Sequence, residues 1–334
     1  MITIVVGANA VGKTNIIEAL QLLSAASSFR NPSWGECVRW GAPEAVLSLE
    51  AEGDGRRLET SLTISAAGKR TYSVNGNVKK RMADVAGRLP CVVFTPDDLR
   101  MVKDSADKRR AAIDGVGDQL SKAYGALRSE YEKTVKQRNA VLRGPNIDDH
   151  VLGALTERLV DRGVAFSGHR KRLFNRLSEK LTDTYASLVA GERLEAVYES
   201  SWARRGFEEE SKTGFEDALR LTAGEERARG TTLTGPHRDE IRFLLDGRDV
   251  RAFASQGQQR TIALTWKLAE VAVITDIGGQ PPLLLLDDVM SELDEDRRHA
   301  LASFVGEVAQ TFVTTTNIGY FEPAMIDRAR VVSL

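Results

Sequence analysis

Eight residues near the start of the chain have the composition and spacing of a phosphate-binding loop. The stretch Gly7-Ala8-Asn9-Ala10-Val11-Gly12-Lys13-Thr14 fits the pattern G-x-x-x-x-G-K-[ST] at every fixed position. In such a loop the backbone N–H groups converge on phosphate oxygens, the lysine reaches the β- and γ-phosphates, and the hydroxyl ligates Mg²⁺. The sequence therefore predicts a site for a nucleoside triphosphate with magnesium, in which Lys13 binds phosphate and Thr14 is a metal ligand.

The segments on either side of this loop have the patterns that its chemistry requires. An apolar run from Ile2 to Val6 predicts a strand, and a helical pattern follows from Asn15 to Leu23. The helix would direct its partially positive N-terminus at the bound phosphates, with Asn15 in its first turn. The alternative is an ordinary Gly-rich strand-to-helix turn, which the complete match and both flanks disfavour.

Two adjacent carboxylates follow a second apolar segment. The run from Leu283 to Leu286 is too short for a typical helix and predicts a buried parallel strand that leads into Asp287 and Asp288. Ligands bind at the carboxyl ends of such strands. We expect Asp287 to hold the magnesium ion with Thr14, and Asp288 to orient or deprotonate the attacking water of phosphoryl transfer. Lys13, Asp287 and Asp288 are thus the candidate catalytic residues.

A second exposed helix N-terminus is predicted at Ser255. Ser255 and Gln258 match the reciprocal capping pattern of a helix that runs to about Ile274. Capping explains the serine but not Gly257 in the first turn, where glycine is a poor helix former. The close approach of a phosphate or of another backbone explains the glycine. Ser255, Gly257 and Gln258 therefore join the candidate nucleotide-binding residues.

Length and composition indicate a globular protein with room for two domains. The 334 residues are 42% hydrophobic and 28% charged with a net charge of -1, so any nucleic-acid surface must be local. Cys37 and Cys91 have no metal-site spacing and indicate a reducing compartment. No apolar segment is long enough to span a bilayer and no leader opens the chain. These features predict a cytoplasmic protein that has no membrane partner.

The segments between the motifs predict a discontinuous domain. Alternating short strands and turns between Ala45 and Asn75 predict an antiparallel patch, while residues 98–230 are helical by pattern and poor in strand signals. Strand character resumes at Thr231. We therefore predict a nucleotide-binding lobe formed by residues 1–97 and 231–334, with a helical lobe of residues 98–230 inserted in it.

The helical lobe contains clusters of basic residues. Residues 101–190 carry 17 Lys or Arg against 12 Asp or Glu. Clustered cations bind phosphate backbones, whereas a solvated helix face of mixed charge is the alternative, and the sequence does not separate the two. The candidate DNA-binding residues are Lys108, Arg109, Arg110, Arg170, Lys171 and Arg172.

The order of these motifs resembles that of ABC-type ATPase heads, the group that includes structural-maintenance-of-chromosomes and DNA-repair ATPases. Closer still is the RecF family of bacterial recombination mediators. Four segments spread along almost the whole chain carry that resemblance: residues 94–99 (FTPDDL), 234–239 (TGPHRD), 254–261 (ASQGQQRT) and 283–294 (LLLLDDVMSELD). The resemblance implies an α/β fold, namely a P-loop ABC-type ATPase head with a mixed sheet and an antiparallel patch, plus an inserted helical lobe.

The resemblance also implies cofactors and partners. ATP and Mg²⁺ are the implied cofactors of a weak ATPase. The implied assembly is an ATP-dependent homodimer, in which Ser255 and Gly257 of one copy contact the γ-phosphate at the Lys13 loop of the other. The implied substrate is duplex DNA beside single-stranded gaps, and the implied protein partners are RecO and RecR, which pass RecA onto the single strand. These partners come from the resemblance alone.

Two departures from the family pattern lead to further expectations. Asp288 and Thr316 stand where ABC-type heads usually carry a glutamate and a histidine, so we expect slow hydrolysis. Family members also begin with a strand and hairpin ahead of the phosphate-loop strand, whereas here Met1 almost adjoins the loop, which indicates a misassigned start codon or a shortened form. We expect the adenine contact and one sheet edge to be incomplete, and an open edge to weaken folding.

Other classes of protein share parts of this pattern. The nucleotide-binding subunit of an ABC transporter uses the same head, but its helix-start motif lies much nearer the phosphate loop and a histidine is expected at Thr316. A small-molecule kinase would leave residues 255–259 and 291–294 without roles. Another SMC-like ATPase is the remaining alternative.

Overall fold

The computed structural model describes residues 1–30, 32–53, 55–80, 84–209, 211–308 and 310–334. The strands are β1 (Ile2–Val6), β2 (Glu44–Gly53), β3 (Arg56–Ser65), β4 (Arg70–Val74), β5 (Asn77–Lys79), β6 (Cys91–Phe94), β7 (Leu194–Glu199), β8 (Glu240–Leu245), β9 (Arg248–Asp249), β10 (Leu283–Asp287), β11 (Thr311–Thr315) and β12 (Ala329–Ser333). The helices are α1 (Lys13–Ala25), α2 (Ala106–Leu120), α3 (Lys122–Leu142), α4 (Asp149–Leu188), α5 (Lys212–Arg229), α6 (Val250–Phe253), α7 (Gln256–Gly278), α8 (Glu295–Val308) and α9 (Pro323–Asp327). The chain divides into two compact units, one formed by Met1–Leu99 with Glu270–Leu334 and the other by Arg100–Ala269.

A five-stranded parallel sheet forms the centre of the first unit. Its strand order is β12-β1-β11-β10-β6. Every residue of β6 and β10 is buried, as the apolar sequences of these strands require in a sheet that is covered on its faces. Ile17 of α1 packs in one cluster with Val93 and Leu285 of these strands. The buried parallel strand predicted before Asp287 is therefore confirmed.

An antiparallel sheet completes the first unit. Its order is β2-β3-β4-β5. The first three strands come from the segment for which alternating strands were predicted, and β5 follows that segment. Leu62 and Tyr72 on its inner face pack in a core with Leu22 and Leu23 of α1. Helix α1 thus contacts both sheets of the unit and fixes where the phosphate loop ends.

The second unit consists of helices with a small sheet at one side. Two of its long helices are consecutive in the chain, because α3 ends at Leu142 and α4 begins at Asp149. The core is aromatic: Trp202 stacks on Phe215 with ring centroids 4.7 Å apart. The pattern of residues 98–230, helical and poor in strand signals, did not predict β7, which pairs with β8 antiparallel and places Tyr198 beside Ile241.

The division into two units differs from the predicted lobes at the second boundary. The first cut, between Leu99 and Arg100, lies close to the predicted one, but the second falls inside α7, between Ala269 and Glu270, and not at residue 231. Residues 231–233 form no strand, and the next strand, β8, pairs with β7 of the helical unit. This pairing keeps residues 240–249 in the second unit. The division by function into an ATPase head and a DNA-binding lobe stays a prediction.

The expected open edge beside the phosphate loop is not found at β1. Strand β1 pairs with β11 on one side and with β12 on the other, where Ile4 lies beside Val331. The sheet edge is therefore one strand away from the loop, because the last strand of the chain covers β1. No helix within the described ranges is both long and apolar enough to cross a membrane.

Candidate nucleotide-binding site

Parallel strand register brings the ends of β1, β10 and β11 to one edge of the sheet. Val6 lies beside Thr315, and Asp287 lies beside Thr314. The N–H of Gly7 extends this alignment by donating to the carbonyl of Thr315 at 3.3 Å. The phosphate loop and the carboxylates that follow β10 therefore share the carboxyl edge of the sheet, where open α/β sheets bind ligands.

The loop from Gly7 to Gly12 turns the chain from β1 into α1. Gly12 has a φ of 104°, a left-handed conformation that residues with a Cβ rarely adopt. Helix α1 starts at Lys13 with no side-chain cap and no acidic residue in its first turn, so its N-terminal N–H groups can serve an anion. The predicted phosphate-binding residues other than Lys13 are all at least partly exposed: Gly7, Ala8, Asn9, Ala10, Val11, Gly12, Thr14 and Asn15.

Lys13 is buried inside the loop. Its Nζ donates to the carbonyl oxygens of Gly7 and Ala8 at 2.8 and 2.9 Å, and the residue is 7% exposed. The two carbonyls hold the ammonium group at the point where the end of β1 and the first turn of α1 meet. The position fits the predicted contact with phosphate oxygens.

A threonine that the sequence pattern did not single out orients the first carboxylate. The hydroxyl of Thr314 donates to Oδ1 of Asp287 at 2.8 Å and accepts the N–H of Asp288 at 3.0 Å. Thr314 is fully buried and Asp287 is 7% exposed. Hydrogen bonds of this kind orient metal-ligating carboxylates. The sequence shows only a hydroxyl side chain near the end of a strand-like segment, because the role depends on β11 lying beside β10.

Asp288 has the features of a reactive carboxylate. Its φ of 52° is left-handed, a conformation that aspartate tolerates better than most residues. Burial raises the pKa of its carboxyl group; the charge of Lys13 opposes this shift, and Asp287 and Glu292 add to it. Its Oδ1 is buried without a hydrogen-bond partner among the described residues. An acceptor of this kind beside a lysine and a second carboxylate fits a bound water, which can donate a hydrogen bond to it.

The donor set as a whole matches a magnesium nucleotide. Mg²⁺ prefers oxygen ligands and usually takes one or two protein ligands plus phosphate oxygens and waters. The hydroxyl of Thr14 and the carboxylate of Asp287 would supply such oxygens, while Lys13 and the uncapped N-terminus of α1 would supply donors for phosphate.

Arg30 is a further cation at this end of α1 that the sequence analysis missed. Its Nη1 donates to Oδ1 of Asn15 at 2.9 Å and to Oε2 of Glu18 at 3.2 Å, and Ser28 donates to the other oxygen of Glu18 at 2.6 Å. Asn15, predicted to contact nucleotide, thus holds an arginine beside the first turn of the helix. A loop arginine gives no local signal of this placement, because the contact depends on how the loop folds back onto α1.

The second predicted phosphate-binding element lies in the helical unit, at the start of α7. The N–H of Ser255 donates to Oε1 of Gln258 at 2.9 Å, and the N–H of Gln258 donates to the hydroxyl of Ser255 at 3.2 Å. The predicted capping box is confirmed. Ser255 is exposed and Gly257 is partly exposed, so this helix start is open to a ligand from outside the chain.

Two of the predicted DNA-binding arginines on α2 are structural instead. Arg109 is 3% exposed and its guanidinium donates to Glu240 at 2.8 Å and to the carbonyls of Met101 and Asp104. Arg110 is 8% exposed and donates to the carbonyl of Asp239. Because both cations are buried and paired, they are not available to a phosphate backbone. The prediction is corrected for these residues, whereas the neighbouring Lys108 is exposed and pairs with Asp104 at 2.9 Å.

The cluster on α4 divides in the same way. Arg170 is buried and makes two bonds to Asp114, at 2.9 and 2.8 Å, and one to the carbonyl of Pro236 at 2.6 Å. It too is unavailable to DNA. Lys171 is partly buried and pairs with Glu209 at 2.7 Å, and Arg172 is exposed. Of the six candidates, Arg172 is the one with an exposed side chain and no hydrogen bond or ion pair to another described residue.

Comparison with known proteins agrees with this geometry. The family model described as the RecF/RecN/SMC N terminal domain matches residues 1–333. A protein of Synechococcus sp. (strain JA-3-3Ab) named DNA replication and repair protein RecF is 38% identical, over 99% of this chain and 90% of its own. A protein of the same name from Heliobacterium modesticaldum is 37% identical, with the same coverage of both chains.

Solved structures show the same fold. A structure described as the recombination mediator protein RecF-ATPrS in the RecFOR pathway superposes with a TM-score of 0.88 at 29% identity, over 96% of this chain and 88% of the other. An Smc head bound to the C-winged helix domain of ScpA has a TM-score of 0.54 at 16% identity, over 99% of this chain and 85% of the other. This second likeness concerns the fold alone.

Proposed function

The chain belongs to the RecF/RecN/SMC N-terminal domain family, and from that premise we propose that it is an ATP-dependent DNA-binding protein of recombinational repair. Relatives named DNA replication and repair protein RecF match it over nearly its whole length, and a RecF structure described with ATP superposes at a TM-score of 0.87. The observation that carries the proposal is the meeting of Lys13 with Asp287 and Asp288 at one edge of the parallel sheet.

The nucleotide in this proposal is ATP with Mg²⁺. Lys13 and the first turn of α1 bind the phosphates, while Thr14 and Asp287 are the protein ligands of the metal. The magnesium ion, when bound, neutralises charge on the phosphate oxygens. Thr314 holds Asp287 in place for this role through its bond to Oδ1.

Asp288 is the residue that we assign to the attacking water. A raised pKa makes a carboxylate a stronger base, and the carboxyl of Asp288 is shifted in that direction by burial. An aspartate side chain is one methylene shorter than the glutamate usual at this position, and Thr316 stands where a histidine is usual. We therefore propose a weak ATPase whose hydrolysis step is slow.

ATP joins two copies of the chain in this proposal. Ser255, Gly257 and Gln258 of one copy contact the γ-phosphate at the Lys13 loop of the other, so that the nucleotide is part of the dimer interface. The exposure of Ser255 and the absence of an acidic residue from the first turn of α7 support this role, since a helix N-terminus binds anions.

The proposed DNA substrate is duplex with single-stranded gaps, and the proposed partners are RecR and RecO, with RecA loaded onto the single strand. The predicted basic surface is reduced to the exposed cations of the helical unit, because Arg109, Arg110 and Arg170 are buried. Arg172 and Arg176 are exposed on α4 and are the first candidates for contact with phosphates.

Binding to gapped duplex DNA, with and without ATP and over a range of salt concentrations, tests the proposal. We expect affinity to rise with ATP and to fall with salt, as counterion release requires. Lys13→Met should abolish ATP binding. Ser255→Arg should keep ATP binding but prevent the ATP-dependent dimer, which light scattering detects. An affinity for DNA that depends on neither ATP nor salt concentration would refute a DNA-binding ATPase. An ATP-dependent dimer of Ser255→Arg would refute the shared site.

A further inference from the structure

A chain of hydrogen bonds behind the start of α7 ends in a glutamate to which the motifs give no role. The side-chain amide of Gln258 uses its oxygen for the N–H of Ser255, at 2.9 Å, and its Nε2 donates to Oε1 of Glu192, also at 2.9 Å. The other oxygen of Glu192 accepts the hydroxyl of Tyr185 at 2.6 Å. The proposed γ-phosphate contact is thus linked, through two side chains, to the last turn of α4.

The carboxylate of Glu192 determines the orientation of the side-chain amide of Gln258. An ionised carboxylate only accepts hydrogen bonds, so the NH₂ group of Gln258 must face Glu192 and its oxygen must face Ser255. The reversed amide would set its oxygen against the carboxylate and its NH₂ group against the N–H of Ser255, and both contacts would be repulsive. The capping box at Ser255 is therefore supported by a hydrogen-bond acceptor from outside the helix.

Glu192 is itself held in a fixed position. Tyr185 is 1% exposed, so its hydroxyl is an anchored donor. The next residue, Arg193, exchanges two bonds with Asp246 in the turn between β8 and β9: its N–H donates to Oδ1 at 2.9 Å, and its carbonyl accepts the N–H of Asp246 at 3.0 Å. The loop that carries Glu192 is therefore tied to the helix before it and to the hairpin that leads into α7.

We propose that Glu192 is a positioning residue of the ATP-dependent dimer: by fixing the amide of Gln258 it holds Ser255 in the conformation that receives the partner copy's γ-phosphate. The role rests on the shared ATP site proposed above and adds to it a residue that touches neither nucleotide nor metal. Tyr185 makes the same geometry depend on α4, the helix that carries the exposed Arg172 and Arg176.

The test compares ATP-dependent dimerisation of Glu192→Ala, Glu192→Gln and Tyr185→Phe with that of the full wild-type chain. Glu192→Ala frees the amide, so we expect the concentration of protein at half-dimerisation with ATP to rise about tenfold, the typical effect of losing a charge-assisted hydrogen bond. Glu192→Gln keeps an acceptor for Gln258 and a partner for Tyr185, so it should lie within about twofold of wild type, and Tyr185→Phe should fall between the two.

The matched control is Glu195→Ala, which removes a nearby carboxylate that pairs with Arg193 and not with Gln258. Binding of a fluorescent ATP analogue to dilute protein should be unchanged in every variant, since the phosphate loop is not altered. The positioning role would be overturned if Glu192→Gln dimerised as poorly as Glu192→Ala, or if Glu192→Ala dimerised like the wild type. Either result would leave the shared site intact. Absence of an ATP-dependent dimer in the wild type would instead refute the shared site, and the positioning role with it.

Discussion

Replacing Arg170 with alanine tests whether the basic cluster on α4 serves the fold or DNA. In Arg170→Ala, Asp114 loses both of its hydrogen bonds from the guanidinium, and the carbonyl of Pro236 loses a third. The Asp114 side chain is 6% exposed, so its charge would remain buried with the hydroxyl of Tyr124 as a donor and without an ion pair to another described residue. Removing one partner of a buried ion pair in this way costs about 3–5 kcal/mol.

The effect should be large on the scale of the whole protein. Globular proteins are stable by about 5–15 kcal/mol, and for a unit of roughly 150–250 residues each kcal/mol lowers the unfolding temperature by about 2–4 °C. A loss of about 4 kcal/mol therefore predicts a decrease of roughly 8–16 °C. The lost contact between the guanidinium and the ring of Phe166, 4.4 Å apart, acts in the same direction.

Thermal and urea unfolding of Arg170→Ala and of Arg172→Ala give the comparison, because both residues lie on α4 and only the second is exposed. Arg172→Ala should change the free energy of unfolding by less than about 0.5 kcal/mol. If Arg172 contacts a DNA phosphate, the variant should also reduce by about one the slope of the logarithm of DNA affinity against the logarithm of salt concentration. The double variant Arg170→Leu with Asp114→Leu should recover part of the loss, since no buried charge is left alone. Wild-type unfolding of Arg170→Ala together with weakened DNA binding would refute the structural assignment.

Three further predictions concern the site and the core of the helical unit. Asp288→Asn should bind ATP normally but lower the kcat of ATP hydrolysis by about 10²–10⁴-fold. The hydrolysis rate of the wild type should rise with pH through a pKa above that of an ordinary aspartate. An unchanged single-turnover rate in Asp288→Asn would exclude Asp288 as the base. Thr314→Val removes the hydrogen bond to Asp287 and should raise the Mg²⁺ concentration for half-maximal activity by about tenfold, whereas an unchanged magnesium titration would contradict the orienting role. Burial lowers the pKa of His237 to about 4, so the unfolded chain binds a proton more readily than the folded chain. Up to about 3 kcal/mol of folding stability should therefore be lost as pH falls from 6.5 towards 4. An NMR titration in which the His237 imidazole titrates near 6.5 would refute this prediction.

The phosphate loop and its acidic strand were predictable because their signals are local. A fixed spacing, an apolar run of known length and a helix pattern specify a strand, a loop and a helix without reference to the rest of the chain. The capping box at Ser255 is local in the same sense. The orienting role of Thr314 is not, since it depends on β11 lying beside β10, and the strands are separated in sequence by α8.

The buried arginines could not be identified from the sequence because their partners are distant along the chain. Arg109 pairs with Glu240, 131 residues away, and Arg170 pairs with Asp114, 56 residues away. A count of charges along the sequence therefore shows an excess of cations, although in the folded unit these cations form ion pairs with distant carboxylates. Strand β7 was missed for a similar reason, since its pairing partner β8 lies beyond α5.

The segment from Thr234 to Asp239 explains why so many arginines are buried near it. Gly235 has a φ of 134°, and a Cβ there would lie 2.3 Å from the hydroxyl of Tyr131, so only glycine fits. Asp239, whose carboxyl pKa is raised by burial, accepts the hydroxyl of Tyr198 and the N–H of Ser201.

Two carbonyls of this segment accept hydrogen bonds from arginines that were predicted to bind DNA, and a third accepts one from another arginine. Arg170 donates to Pro236 and Arg110 to Asp239, while Arg204 donates to Arg238 at 2.6 Å. Buried backbone carbonyls need such donors, because an unpaired polar group in the interior costs about 1–3 kcal/mol. Part of the positive charge of the helical unit is therefore required by its own backbone. Any DNA contact made by α4 must come from its exposed cations, among which Arg172 and Arg176 are the first candidates.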